Sequence, residues 1–334
     1  MIEDFFYLPH RFDMKLFKTS KLIPLISIYL NIGFLILFLR LHLTNTKYRL
    51  NSCPDQQRTT TPVEGMLEYQ NSFRTSQMYV VPNIVHFVWF GKDSEWYFHQ
   101  FLSVLSAYKN IKPNIIYFHC DNEPIGEWWI AAKKRVKTLK IRKVKPPDYI
   151  FDRVLIHPEH KSDIFRIEVL QKMGGIYLDT DVIALKSFNP LRNYTFTMGL
   201  EYHGNPGRVN NGVIISAPNA TFLNIWKSTY KTFTAFEWDY HSCAIPYLLR
   251  DKYPDIFHVE ERSLVYPSGP DKRLIHDTVY DWSNNYAIHL WHRTFNTHYN
   301  PESVKMLNTT YGQIARFVLY NNSDLIPYTN SVYY

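Results

Sequence analysis

Cysteine is scarce in this sequence: Cys53, Cys120 and Cys243 are the three in 334 residues. Three thiols cannot build a disulfide framework, and none stands at the close spacing of a cysteine metal site. A single Cys120–Cys243 bridge is open to a chain that matures in an oxidising lumen, with Cys53 left free or joining two chains as a homodimer. Concentrated positive charge is lacking as well. The formal charge is +7, yet lysine and arginine are scattered, and the one local cluster (Lys133, Lys134, Arg135 and Lys137) reads as a solvated helix face. Nucleic-acid binding is therefore not expected. There is no internal repeat. No second group of histidines and aspartates stands at a spacing that would hold two metals, which argues against a two-metal phosphate hydrolase. Apolar residues, by contrast, are plentiful. Hydrophobic side chains make up 46% and aromatics 16%, which excludes a disordered chain and supplies a sizeable core for one large domain or two small ones.

Long uncharged runs are also few, and the one from Leu22 to Leu39 is close to the length needed to cross a hydrocarbon core. No small-residue cleavage site follows it, and Arg40, His42 and Lys47 sit where one would be expected, so an anchor is favoured over a signal peptide. Basic residues flank the run equally and do not orient it. Asn193, Asn219, Asn308 and Asn321 each open an N-x-S/T acceptor pattern, and all four follow the run. They point to a lumenal body. The expected organisation is a cytosolic tail at 1–21, a transmembrane anchor at 22–43, a polar stem at 44–79 and a folded lumenal domain at 80–334, in a Golgi or endoplasmic reticulum membrane.

Within the folded region, strands and helices alternate. Ile84 to Phe90 is β-branched and aromatic and stops at Gly91; Glu95 to Tyr108 reads as a helix; Asn114 to His119 as a strand; Glu127 to Val136 as a helix; and Lys140 to Val144 as a strand. Ser162 is a natural N-cap for a helix that Gly174 ends, and Ile176 to Leu178 is a short strand that opens onto Asp179 and Asp181. The alternation predicts an α/β fold with a mostly parallel sheet and its site at the strand ends.

Two carboxylates two residues apart at a strand end can converge on one hard cation, because the chain turns there. An ion so held bridges phosphate oxygens and neutralises a diphosphate leaving group. Asp163 and Arg166 lie at i and i+3 on one face of the preceding helix, where an acid can take ribose hydroxyls and a guanidinium can take phosphate or orient the acids.

The run from Ser162, Asp163 and Arg166 through Gly174, Gly175 and Tyr177 to Asp179 and Asp181 resembles the glycosyltransferases with a sugar-binding region containing the DXD motif, also called family 32. Val81 to Gly91 is similar to the family's opening strand, Asn210 to Gly212 to the segment after the Asp pair, and Tyr286 to Trp291 to its closing element. The resemblance covers roughly 80–295. It implies a GT-A fold, a Rossmann-like mixed sheet flanked by helices, with a divalent cation such as Mn2+, a nucleotide-sugar donor, retention of configuration, and a glycan or glycolipid acceptor. Carried over residue by residue, Trp89 stacks on the nucleobase and Asp163 and Arg166 hold ribose and sugar, with Tyr177 beside them. Asp179 and Asp181 bind ribose and metal, Asn211 lies near the donor sugar, His289 completes the metal shell, and Trp291 donates its indole N–H to the diphosphate. His292 stands where the family commonly has Asn, which leaves two candidate histidine ligands. Asn211, Asp239 and Trp291 are candidates for catalysis, Glu201 for another role, and Asp239 with His241 for the acceptor. A UDP-hexose is favoured as donor over GDP-mannose. A glycan-binding relative without activity would have lost the Asp pair or Arg166, and both are intact.

Overall fold

The structure, a computed structural model, describes residues 79–327 apart from 92, 93 and 296. The expected tail, anchor and nearly all of the stem, with Cys53, lie outside the described residues. No helix among those described is long and apolar enough to cross a membrane.

The chain opens with β1 (Ile84–Trp89), α1 (Phe98–Ser106), β2 (Ile115–Cys120), α2 (Glu127–Arg135) and β3 (Leu139–Lys143). A hairpin of β4 (Tyr149–Ile150) and β5 (Arg153–Val154) leads into α3 (Pro158–Met173), β6 (Gly175–Leu178) and β7 (Val182–Ala184). Then come β8 (Phe196–Tyr202), β9 (Arg208–Ser216), α4 (Thr221–Thr229), α5 (Ile245–Arg250), β10 (His258–Glu260) and α6 (Arg273–His276). β11 (Ala287–His289), α7 (His292–Phe295) and α8 (Thr310–Tyr320) close the order.

Seven strands form the main sheet in the order β10-β8-β9-β6-β1-β2-β3. Four pairings are parallel (β10 with β8, β6 with β1, β1 with β2, β2 with β3), and β9 runs antiparallel to both its neighbours. The sheet is thus mostly parallel, as the alternation of elements predicts. Its inner strands β1, β2 and β6 are rich in apolar residues, broken by His86 and His119, because both faces are covered. Along β1, Val85 and Phe87 belong to one core with α1, α2 and α8, whereas Ile84 and Val88 belong to a second core with α3 and α4.

Two local differences from the sequence reading have physical causes. α3 begins at Pro158, not at Ser162: Pro at the first turn needs no N–H partner and its φ already suits a helix, so the helix extends one turn further. Ser162 consequently lies inside the helix, where its Oγ accepts from Arg166 Nη2 at 3.2 Å. The open Cys120–Cys243 bridge is also absent. Both thiols are free and buried; Cys120 ends β2 in the core with α1 and α2, while Cys243 lines the cleft beyond β9. The Lys133 to Arg135 cluster is exposed on α2, as a solvated face requires, and all four sequon asparagines are exposed.

Candidate functional site

The loop between β6 and β7 makes the centre of a 570 Å³ cleft. Gly175, at φ +108, lets β6 enter beside β1; a Cβ there would lie 2.6 Å from the Ile84 carbonyl oxygen. After Leu178 the chain turns tightly: Asp179 N–H donates to Gly212 O at 2.7 Å, and Val182 N–H returns to Asp179 O at 3.1 Å. That turn is why Asp179 and Asp181 point the same way.

The third member arrives across a separate ladder. β11 pairs antiparallel with β7, with His289 opposite Val182, so its imidazole meets Asp181 with Nε2 to Oδ1 at 3.0 Å. One ligand atom each from Asp179, Asp181 and His289 lie within 4.8 Å of one another. His292, the other candidate, is turned away. Its backbone N–H donates to Asp181 Oδ2 at 3.1 Å, while its ring stacks on His99 at 3.5 Å. Burial works against charge on His289, but Asp181 outweighs it and raises the imidazole above its usual range. Burial likewise works against ionised Asp181, but His289 outweighs it and holds the carboxyl well below the carboxylate range.

A second layer fixes the first. Arg166, 5% exposed, lies 3.2 Å from Asp163 Oδ1 and 3.4 Å from Asp179 Oδ1, donates to Asn211 O at 2.8 Å, and sits 4.4 Å over the Tyr177 ring. Tyr177 O–H donates to Asp179 Oδ1 at 2.6 Å, so that oxygen is engaged and Oδ2 is the one left for a ligand. Asn211 Nδ2 donates to Asp163 Oδ1 at 2.7 Å. Burial pushes the Asp163 carboxyl up although Arg166 opposes it. Gly212 is required here: a Cβ would lie 2.8 Å from Asn210 Oδ1 and 2.9 Å from Asp179 Oδ2.

Trp89 and Trp291 both line the cleft. The Trp89 ring rests edge-on against Trp96 at 5.1 Å, and its Nε1 is buried without a partner. Trp291, at φ +55, packs on His289 at 4.3 Å, and its N–H already donates to Pro267 O at 3.0 Å. Donation to a diphosphate therefore requires exchange of that bond. Asp239 lines the cleft but is clamped by Arg208 at 3.0 Å. His241 does not reach the cleft: it is buried beside Tyr230 and Thr232, and its carbonyl accepts the Trp226 indole N–H at 2.7 Å. Its expected acceptor contact is thus corrected, because the five-residue π-helical turn Tyr240–Ala244 points it at the core.

The sequence reading places Asn210 in the segment after the Asp pair without giving it a role, and passes over His160. Asn210 Nδ2 donates to Glu201 Oε2 at 3.1 Å while its Oδ1 accepts the Gly212 N–H at 2.9 Å, a pattern that the Asn-Asn-Gly triplet could have signalled. Burial pushes the Glu201 carboxyl up despite the Asn210 bond. His160 is buried at the cleft wall with Nε2 3.1 Å from Trp238 O, and only the folded chain brings these residues together.

Residues 70–197, which include this turn, match the family model described as glycosyltransferase sugar-binding region containing DXD motif. Glucan organizing enzyme 1 of Cryptococcus neoformans var. grubii serotype A is 30% identical over 260 residues, which are 71% of this chain and 70% of that protein. The chain belongs to this glycosyltransferase family. A second family model, described as capsular polysaccharide synthesis protein, matches residues 144–331, so that family too includes the transferase. Lactosylceramide 4-alpha-galactosyltransferase of Rattus norvegicus is 32% identical over 102 residues, 30% of the transferase and 23% of that protein. Among solved structures, PaToxG glycosyltransferase aligns at 20% identity with a TM-score of 0.35, over 57% of the transferase and 77% of that chain.

Proposed function

We propose that the transferase moves a hexose from a UDP-sugar to a glycan or glycolipid acceptor, with retention of configuration, at a divalent-cation site in a GT-A domain. The observation that carries this reading is the meeting of Asp179, Asp181 and His289 within 4.8 Å beside the buried Arg166. Two carboxylates and one imidazole suit Mn2+ or a similar ion, and Asp179 Oδ2, Asp181 and His289 would hold it. When bound there, such an ion would supply positive charge for the departing diphosphate.

The chain's own residues bind and orient. Trp89, on the cleft wall, would stack on the nucleobase. Asp163, with its Oδ1 fixed by Asn211 and Arg166, presents its other oxygen to ribose or sugar hydroxyls. Arg166 is enclosed by carboxylates, so its work is to hold Asp163 and Asp179 in place. Glu201, anchored by Asn210, is suited to a sugar hydroxyl. Asp239 is clamped by Arg208 and Glu201 by Asn210, so attack on the leaving-group face is favoured over a carboxylate nucleophile. In that course the anomeric C–O bond to phosphate breaks, a bond to the acceptor oxygen forms on the same face, and the acceptor proton passes to the departing phosphate oxygen. The body at 80–334 would work in the lumen behind the anchor at 22–43 and the stem at 44–79, and its exposed sequons suit glycosylation there.

Donor hydrolysis by the full chain against UDP- and GDP-sugars, with and without Mn2+, tests the reading. Turnover of a UDP-hexose that excess EDTA abolishes supports it. Turnover unaffected by EDTA, or confined to GDP-mannose, overturns the metal or the donor.

A further inference from the structure

Large apolar side chains crowd the surface at one place beside the cleft. Tyr149, Phe151 and Val154 on the β4–β5 hairpin and Ile156 just after it, with Phe236 and Trp238 on a neighbouring loop, are between 43% and 99% exposed. Tyr149 and Val154 are directly paired across the hairpin, so they share its outer face. The two segments adjoin along their length. Arg153 Nε donates to Lys231 O at 3.0 Å and Lys231 lies over the Phe151 ring at one end, while Trp238 packs on His157 at 5.6 Å at the other. Phe236, the most exposed of the set, falls between those contacts. The rim borders the cleft directly, because Pro158, Glu159 and Trp238 line its wall and Arg293 sits 4.7 Å over Trp238.

We infer that this rim docks on a bilayer surface and so brings the cleft mouth to an acceptor that is itself seated in the bilayer. The inference rests on the glycosyltransferase reading for the acceptor, though the docking does not depend on it. Three observations choose the occupant. The surface is made by a hairpin tip and a fully projecting phenylalanine, which suits insertion among lipids better than the grip of a protein groove. Its composition is Tyr, Trp and Phe ringed by Lys and Arg, the mixture that settles at membrane–water interfaces. The sequence also carries the uncharged run Leu22–Leu39, and residues 40–78 extended reach about 130 Å at most, so a bilayer lies within range of the domain. Most charges near the rim are paired, with a small positive excess: Lys145 and Lys161 share Asp148, Arg153 lies by Asp152 and Arg293 by Glu159. Docking is therefore driven by apolar contact and should differ little between neutral and anionic lipid.

The test uses the full chain with Cys53→Ser, reconstituted in phosphatidylcholine vesicles that carry a nitroxide near the headgroup. A single environment-sensitive dye is placed through Phe236→Cys or, as control, Ile130→Cys on α2 at the opposite sheet face; buried Cys120 and Cys243 are shielded from labelling. Quenching at 236 several-fold stronger than at 130, in neutral and anionic vesicles alike, is expected. Equal quenching at both sites, or none at 236 while the chain floats with the vesicles, overturns the inference. So does a chain that fails to float, or a dye at 236 that is shielded by protein concentration without lipid, since a second copy would then be the occupant. Phe236→Ser should lose vesicle contact at the rim while donor hydrolysis stays unchanged. Loss of hydrolysis in every form would instead count against the reaction and not against the docking.

Discussion

Replacing Arg166 with methionine separates the holding of the acids from the chemistry they support. Met keeps much of the stem's volume and can still pack on the Tyr177 ring, but it removes the charge between Asp163 and Asp179 and the donors to Asn211 O and Ser162. Both Arg166 and Asp163 are buried, and removing one partner of a buried pair costs about 3–5 kcal/mol. In a domain of this size that lowers the melting temperature by about 6–20 °C. The pH dependence has a definite sign. Burial already raises the folded-state pKa of Asp163, so its contribution to stability is full below the unfolded pKa and is lost as pH rises through the folded one. Without Arg166 the folded pKa rises further, so the mutant loses more stability over a wider span toward neutral pH. Arg166→Met should thus be less damaging at pH 4.5 than at pH 8, as read by calorimetry on the metal-free protein. Arg166→Lys should recover part of the stability but not the donor turnover, because one ammonium cannot reproduce the guanidinium fork. A melting temperature within 2 °C of wild type at pH 8 (about 1 kcal/mol or less), or an equal deficit at both pH values, would refute the reasoning.

Asp181→Asn and His289→Ala should each abolish donor hydrolysis and weaken Mn2+ binding at least ~10-fold by calorimetry, because each removes a ligand. Since His289 binds metal only when neutral and Asp181 raises its pKa, Mn2+ binding should release protons and its affinity should fall as pH drops through the raised imidazole range, and His289→Gln should flatten that slope. Gly212→Ala should displace Asp179 and cut turnover by about 10²-fold while urea unfolding changes far less, since the clash is with side-chain tips and not with the core. Deglycosylation should shift the mass of chain expressed in a secretory host, and changing Asn193, Asn219, Asn308 and Asn321 to Gln together should remove that shift.

The parts of this molecule legible in its sequence are those where local chemistry and tertiary demand coincide. Ile84 to Trp89 reads as an inner strand from its β-branched and aromatic residues and its stop near Gly91, and Gly174 and Gly175 mark both the end of α3 and the close entry of β6, so the turn at Asp179 and its convergence with Asp181 follow from a few neighbouring residues. His289 sits 108 residues from Asp181 in sequence, and no spacing rule connects them; it was reachable only through the resemblance of the closing element. Where two local signals compete, the sequence favours the commoner one. Ser162 looks like a helix cap, but Pro158 starts the helix first and turns Ser162 into a partner of Arg166. Where the deciding contact is remote, no local signal exists at all: the Pro267 carbonyl claims the Trp291 N–H, and the turn at Tyr240–Ala244 sends His241 to the core while Asp239 keeps the cleft. The cleft is therefore built from a locally specified acidic turn and a remotely specified wall. Substitutions in the turn or at His289 should change metal and donor together, whereas a substitution at Asp239, on the wall away from the metal ligands, should change acceptor use and leave donor hydrolysis standing.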